Sequence, residues 1–233
     1  HPHRPRLAAG DRQHAHAERA VQFLALEEDG GLVRLPVAVL VVIVSLILLA
    51  WLLPGMIDVH VHGAVGVDTM DASRDGLRAM ARCYAEHGVT AFLPTTWTDS
   101  RKRIDAALAN IAAAMGSGDG ATILGAHLEG PYLNPARCGA QDSTHIRRAE
   151  RKEALAFLEM GIIRLLALAP EYPENEWLIE ECIARGIRVS AAHTDATYDQ
   201  MARAVSLGVR QTTHTFNAMR PPTIANPAQL ERR

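Results

Sequence analysis

Met56-Ile-Asp-Val-His-Val-His62 is a short apolar run that closes on two histidines, and the pattern it begins decides the fold. Successive strand residues point to opposite faces, so His60 and His62 share one face. Downstream, Ser73 reads as the N-cap of a helix to about Glu86, ended by Gly88. Residues 89–94 form a second apolar run, and Asp99 or Ser100 opens a helix to about Met115. The alternation then repeats. Strands are expected over residues 121–128, 162–169, 187–192 and 209–213, and helices over 149–160, 174–185 and 198–207. Strand alternating with helix predicts a parallel sheet with right-handed crossovers. The strands are continuous apolar runs, as strands covered on both faces are. No glycine-rich phosphate loop follows the first strand. The expected fold is therefore α/β, an incomplete TIM-like (β/α) barrel with about six of eight units. A full barrel has eight strands and about 250 residues, so the 233-residue chain reads as cut short.

Chemistry-bearing side chains recur at the C-terminal ends of these strands, where barrels and doubly wound sheets keep their active sites. His60 and His62 end the first, Glu129 the third, His193 the fifth and His214 the sixth. A lone strand-end histidine is ordinarily a hydrogen-bonded structural group. Five such residues in one alternating array point to a metal site. Glu129, His193 and His214 make a three-ligand set with an open position for water, the mark of a catalytic rather than a structural ion. His60 and His62 can hold one ion on their shared face, and Glu129 can bridge two. An ion there acidifies bound water and polarises a carbonyl, so hydrolysis of an amide or ester is the reaction class suggested. His127 is assigned to the side of its strand away from Glu129 and left out. His87 and His145 carry no ligand argument. Asp58 is a candidate supporting group for the His60–His62 pair, and Asp195 and Thr197 are read as capping the next helix.

Composition narrows the classes further. The formal net charge of -2 gives no reason to expect nucleic acid as a partner. The three cysteines are scattered and odd in number, which fits a reducing cytoplasm rather than a disulfide framework. His1, His3, His14 and His16 lie in a polar leader, residues 1–31, read as disordered or foreign to the fold. Residues 35–53 carry no charge over nineteen positions. Three readings stand open for them: a membrane-spanning helix, a buried strand or helix, or a misassembled start. Pro54-Gly55 leads straight into the histidine strand, which would press a membrane helix against the candidate site. The expected organisation is an atypical leader over 1–53, a partial barrel over 54–222 and an unmatched tail over 223–233.

These residues resemble a known family. Pro54-Gly-Met-Ile-Asp-Val-His-Val-His-Gly63 looks like the first-strand signature of the amidohydrolase superfamily. His127-Leu-Glu-Gly-Pro-Tyr-Leu-Asn-Pro135, His193-Thr-Asp-Ala-Thr197 and Thr213-His-Thr-Phe-Asn-Ala-Met219 are similar to the N-acetylglucosamine-6-phosphate deacetylases. The resemblance implies Glu129, His193 and His214 as principal metal ligands. It implies His60 and His62 as the pair that holds a second ion in members with the His-x-His form. One or two divalent ions, zinc or iron, are expected. The resemblance places Ala140 and Gln141 against the sugar, and Asn217 and Ala218 towards the phosphate end of a phosphorylated amino sugar. The implied reaction releases acetate from N-acetylglucosamine 6-phosphate. The family is often dimeric, so a homodimer is expected. Two departures matter. The family's phosphate-binding arginine has no match after Met219, and Arg220 is not offered in its place. The family's catalytic aspartate, on an eighth strand, has no counterpart, so no catalytic acid–base residue is assigned and this chain alone is expected to turn over weakly. Another amidohydrolase acting on an N-acyl or cyclic amide, or a membrane-tethered metal-binding remnant, are the alternatives.

Overall fold

A computed structural model describes residues 23–28, 31–52, 54–71, 73–116 and 118–221. The chain divides into two compact units, His1–Pro54 and Gly55–Arg233. In the first, β1 (Phe23–Glu28) and β2 (Gly31–Pro36) form an antiparallel hairpin with Glu28 opposite Gly31, followed by the helix α1 (Val37–Leu52). Strand structure from Phe23 onward departs from the disordered reading of the leader, whose residues 1–22 lie outside the described ones, as does the tail 223–233.

The buried-strand reading of residues 35–53 is corrected. Val37–Leu52 is helical, and Val41, Val42, Ile43 and Val44 are all exposed. A strand needs a partner for its N–H and C=O groups, whereas a helix satisfies them internally. Sixteen residues without glycine or proline allow that, and the helix penalty of β-branched side chains is small. At 1.5 Å per residue α1 is about 24 Å long. No helix among the described residues is long and apolar enough to cross a membrane.

The second unit is the expected (β/α) array. β3 (Met56–Val61) is followed by a small hairpin, β4 (Gly63–Ala64) and β5 (Val67–Asp68), then α2 (Arg74–Glu86). β6 (Val89–Pro94), α3 (Arg101–Ala114), β7 (Thr122–Ile123) and β8 (Ala126–Glu129) come next. Then follow α4 (Arg151–Glu159), β9 (Ile163–Leu168), α5 (Pro173–Ala184), β10 (Arg188–Ala191), α6 (Tyr198–Leu207) and β11 (Gln211–Thr212). Every pairing between neighbouring barrel strands is parallel, and spatial order follows chain order, as in a barrel wall. The helix starts are set locally. Ser73 Oγ accepts from Gly76 N–H, and Thr197 with Gln200 makes a reciprocal capping box. Thr197 thus caps as expected; Asp195 does not.

The third strand differs from expectation. It breaks into β7 and β8 at Leu124-Gly125, so the wall is two sheets, β3-β6-β7 and β8-β9-β10-β11, joined by a bridge between Thr95 and His127. Gly125 has φ 147°, and a Cβ there would meet Ile162 O at 2.3 Å. The close approach is also a contact, since Ala126 N–H donates to Ile162 O at 2.9 Å. The core lies between wall and helices, with Leu77, Ile104, Leu108, Phe157 and Leu178 packed over Phe92, Leu128 and Leu166. It fixes the strand ends that carry the site.

Candidate metal centre

Glu129 is fully buried at the end of β8, and four imidazoles converge on its carboxylate. Oε1 lies 3.2 Å from His193 Nε2 and 3.3 Å from His214 Nε2. Oε2 lies 3.3 Å from His60 Nε2 and 3.1 Å from His62 Nε2. Each oxygen therefore takes two imidazoles. The sequence-derived set is brought together whole. His60, Glu129 and His214 also have donor atoms all within 4.8 Å of one another, a grouping that crosses the expected division into Glu129–His193–His214 and His60–His62. Glu129 is common to both.

The neighbours prepare these groups. His62 Nδ1 lies 3.1 Å from Thr95 O, and His193 Nδ1 lies 2.8 Å from Arg137 O. A carbonyl only accepts, so both Nδ1 atoms carry a proton, and each neutral ring would offer its Nε2 lone pair to an ion that took the place of the bond to Glu129. Burial works to raise the Glu129 pKa, but hydrogen bonds from His193, His60 and His62 outweigh it and hold the carboxyl far below the usual range. Burial lowers the pKa of His214. Both shifts favour the metal-binding protonation states. His193 and His214 have left-handed backbones, φ 45° and 54°. Such conformations are uncommon for side chains other than glycine and cluster at functional sites.

The donor set fits an ion. Around a tetrahedral zinc with bonds of about 2.0–2.1 Å, ligand atoms stand about 3.3 Å apart. The nitrogen–oxygen separations here, 3.1–3.3 Å, are of that size.

The supporting residues are less as expected. His127 is two positions from Glu129, not one, so it shares the inward face, and its exclusion on sequence grounds is corrected. Its ring centroid is 4.9 Å from that of His60 and its Nδ1 is 3.1 Å from Val59 O. Burial, then the nearby His60, lower its pKa to about 3, so it is neutral. Asp58 supports the backbone rather than the imidazole, accepting from His60 N–H at 3.1 Å. Trp97, which sequence reasoning does not single out, stacks on His62 with centroids 3.7 Å apart and donates its indole N–H to Asp68. It sits in a loop, where no periodicity marks it.

A cavity of about 340 Å³ opens above the imidazoles. Trp97 forms one wall, and Ala140, Gln141, Asn217 and Ala218 also line it. Gln141 also braces the centre. Its Nε2 donates to Glu129 Oε2 at 2.9 Å while its Oε1 accepts from Thr98 N–H. Among the described residues that line the cavity there is no carboxylic acid. Arg220 is engaged with Asp195 at 2.6 Å.

The Amidohydrolase family profile matches residues 51–227. An N-acetylglucosamine-6-phosphate deacetylase of Vibrio furnissii is 42% identical over 172 residues, covering 72% of this chain and 43% of that protein. An N-acetylgalactosamine-6-phosphate deacetylase of Escherichia coli O157:H7 is 38% identical, covering 72% of this chain and 45% of that protein. The Mycobacterium smegmatis N-acetyl-D-glucosamine-6-phosphate deacetylase D267A mutant, solved with N-acetyl-D-glucosamine-6-phosphate, superposes with a TM-score of 0.69 at 31% identity. That match covers 73% of this chain and 45% of the other. The chain thus spans less than half the length of these relatives.

Proposed function

The chain belongs to the amidohydrolase family, and on that premise we propose that it carries the metal-binding part of a deacetylase acting on N-acetylglucosamine 6-phosphate. Amidohydrolases use a divalent metal, and here Glu129, His193, His214, His60 and His62 would hold one or two ions, zinc or iron. The observation that carries this reading is the placement of two imidazole Nε2 atoms on each oxygen of one buried carboxylate.

When bound, the ion supplies polarisation of the acetamide carbonyl and an acidified water. The chain's residues do the rest of what this part can do. Thr95 O and Arg137 O fix the tautomers of His62 and His193. Gln141 holds Glu129 in place and keeps one amide hydrogen for a substrate oxygen. Ala140 and Trp97 present an apolar wall to the sugar or acetyl group, and Asn217 with Ala218 face the phosphate end. No acid among the described lining residues returns a proton to the leaving amine. General acid–base help is commonly worth about 10²–10⁴-fold, so the 233 residues alone should bind metal yet turn over weakly. Three free cysteines are in keeping with a reducing, cytoplasmic setting.

The test has two arms. Zinc and iron(II) are titrated into the purified chain and into Glu129→Ala, and acetate release is measured from the 6-phosphates of N-acetylglucosamine and N-acetylgalactosamine. Tight binding that Glu129→Ala abolishes is expected. Wild-type binding in that variant would sink the metal centre. The second sugar is included because a 38%-identical relative is named for it. A clear preference for it, or for an unphosphorylated N-acyl or cyclic amide, would overturn the substrate assignment.

A further inference from the structure

Glu171 lies outside the cavity lining, just past the end of β9, yet three segments of the site meet on its carboxylate. Oε1 accepts from Asn134 Nδ2 at 2.8 Å and from the backbone N–H of Asp195 at 2.7 Å. Oε2 accepts from the hydroxyl of Thr194. Asn134 belongs to the loop after β8, and Thr194 and Asp195 follow β10. One carboxylate thus joins the ends of the third, fourth and fifth barrel strands.

His193 sits in the middle of this junction. Its carbonyl accepts from Asn134 N–H at 2.9 Å, so the residue that Glu171 grips by its side chain grips His193 by its backbone. On its other side, Thr194 and Asp195 are both bonded to Glu171. Its ring is held by Arg137 O, three residues beyond Asn134. The Arg137 guanidinium in turn pairs with Asp195 at 2.7 Å. The backbone of His193 is left-handed, with φ 45°, which an L-residue keeps only when its surroundings over-determine it. Besides the ladder bond of Ala192, the contacts of Thr194 with Ala218 and Arg220, and the contacts of the ring with Glu129 and His214, this turn is held through Asn134, Thr194 and Asp195, all bonded to Glu171, and through Arg137, one step away.

We propose that Glu171 is a positioning residue for the metal centre, holding His193 in the backbone conformation that aims its Nε2 at Glu129 Oε1. The proposal rests on Glu129 and His193 being ion ligands. Glu171 touches neither the ion site nor the cavity and acts only through Asn134, Thr194 and Asp195. Residues that orient ligands are typically worth 10–100-fold in metal affinity.

Zinc affinity by competition with a chromophoric chelator, and the visible absorption of the cobalt(II) form, are measured on the full chain and four variants. Glu171→Gln keeps an oxygen for Asn134 and Asp195, so its affinity should stay within about threefold of wild type. Glu171→Ala should bind zinc roughly 10–100-fold more weakly and give an altered cobalt spectrum, with far-ultraviolet circular dichroism unchanged. If Glu171→Ala does not fold, Thr194→Val decides. It is close to isosteric, removes the Oε2 bond, and should weaken zinc by roughly threefold or more. Wild-type affinity and spectrum in whichever of these two folds would overturn the proposal, as would Glu171→Gln falling as far as Glu171→Ala. Glu129→Ala separates the premise. If it binds zinc like wild type, the metal centre itself fails. If it loses zinc while the Glu171 and Thr194 variants keep it, only the positioning role fails.

Discussion

The indole of Trp97 lies flat on the imidazole of His62, with centroids 3.7 Å apart and planes 16° from parallel. The contact braces a candidate ligand from the side, while Thr95 O braces it end-on. Trp97→Ala should weaken zinc binding several-fold and destabilise the fold by about 2 kcal/mol, less than a fully buried tryptophan because the side chain is only half buried. Trp97→Phe should recover most of both. Zinc competition and urea denaturation of the two variants measure this, and equal losses in both would remove the stacking explanation.

An ion at Glu129 should stabilise the folded chain. Ligand at a hundred times its dissociation constant contributes about 2.7 kcal/mol. Thermal unfolding should therefore rise by several degrees with zinc and fall back with a chelator. Glu129→Ala should show no such response; a zinc-dependent rise there would place the ion elsewhere.

Gly125 tolerates no side chain. Its φ is 147°, and an added Cβ would stand 2.3 Å from Ile162 O. Gly125→Ala should therefore cost about 3 kcal/mol or more, or prevent folding. Gly161→Ala, whose Cβ meets nothing within 4 Å although its φ is also positive, should cost less. Chemical denaturation of the pair ranks them, and a reversed order would contradict the close approach.

Cys182 is fully buried, and burial pushes its thiol up to about 12. A raised thiol pKa leaves the neutral, unreactive form at about pH 8. Alkylation under those mildly alkaline conditions should therefore modify Cys83 and Cys138 in the native chain and reach Cys182 only after denaturation. Mass spectrometry of the peptides reads this directly.

Among the described residues β3 pairs with β6 on one side only, and Met56, Ile57 and Val59 are exposed. An apolar strand edge of this kind recruits further strands. The chain should self-associate with rising concentration in sedimentation velocity, and Ile57→Lys should reduce that. Unchanged association would move the interface elsewhere.

Much of this site is legible because strand ends are. His60, His62, Glu129, His193 and His214 each follow an apolar run, and a parallel barrel gathers such ends at one mouth. What escapes lies in the contacts between segments. Trp97 and Glu171 have no periodic signature, and their importance comes from what folds against them. His127 is legible yet misplaced by the sequence reading, since strand alternation over two positions returns to the same face. Gly125 inside an apolar run is likewise a signal of a break or a close backbone approach. Residues 37–52 show the opposite case. Their β-branched content suggests a strand, but they form a helix, which satisfies its backbone groups internally and needs no partner strand.

The interruption at Leu124-Gly125 leaves His60 and His62 on one sheet and Glu129, His193 and His214 on the other or just beyond its strands. A cation shared between them would rivet the two plates together across their seam. Loading would then stiffen the whole wall rather than a single loop, and amide hydrogens along both plates, far from the ion, would exchange more slowly.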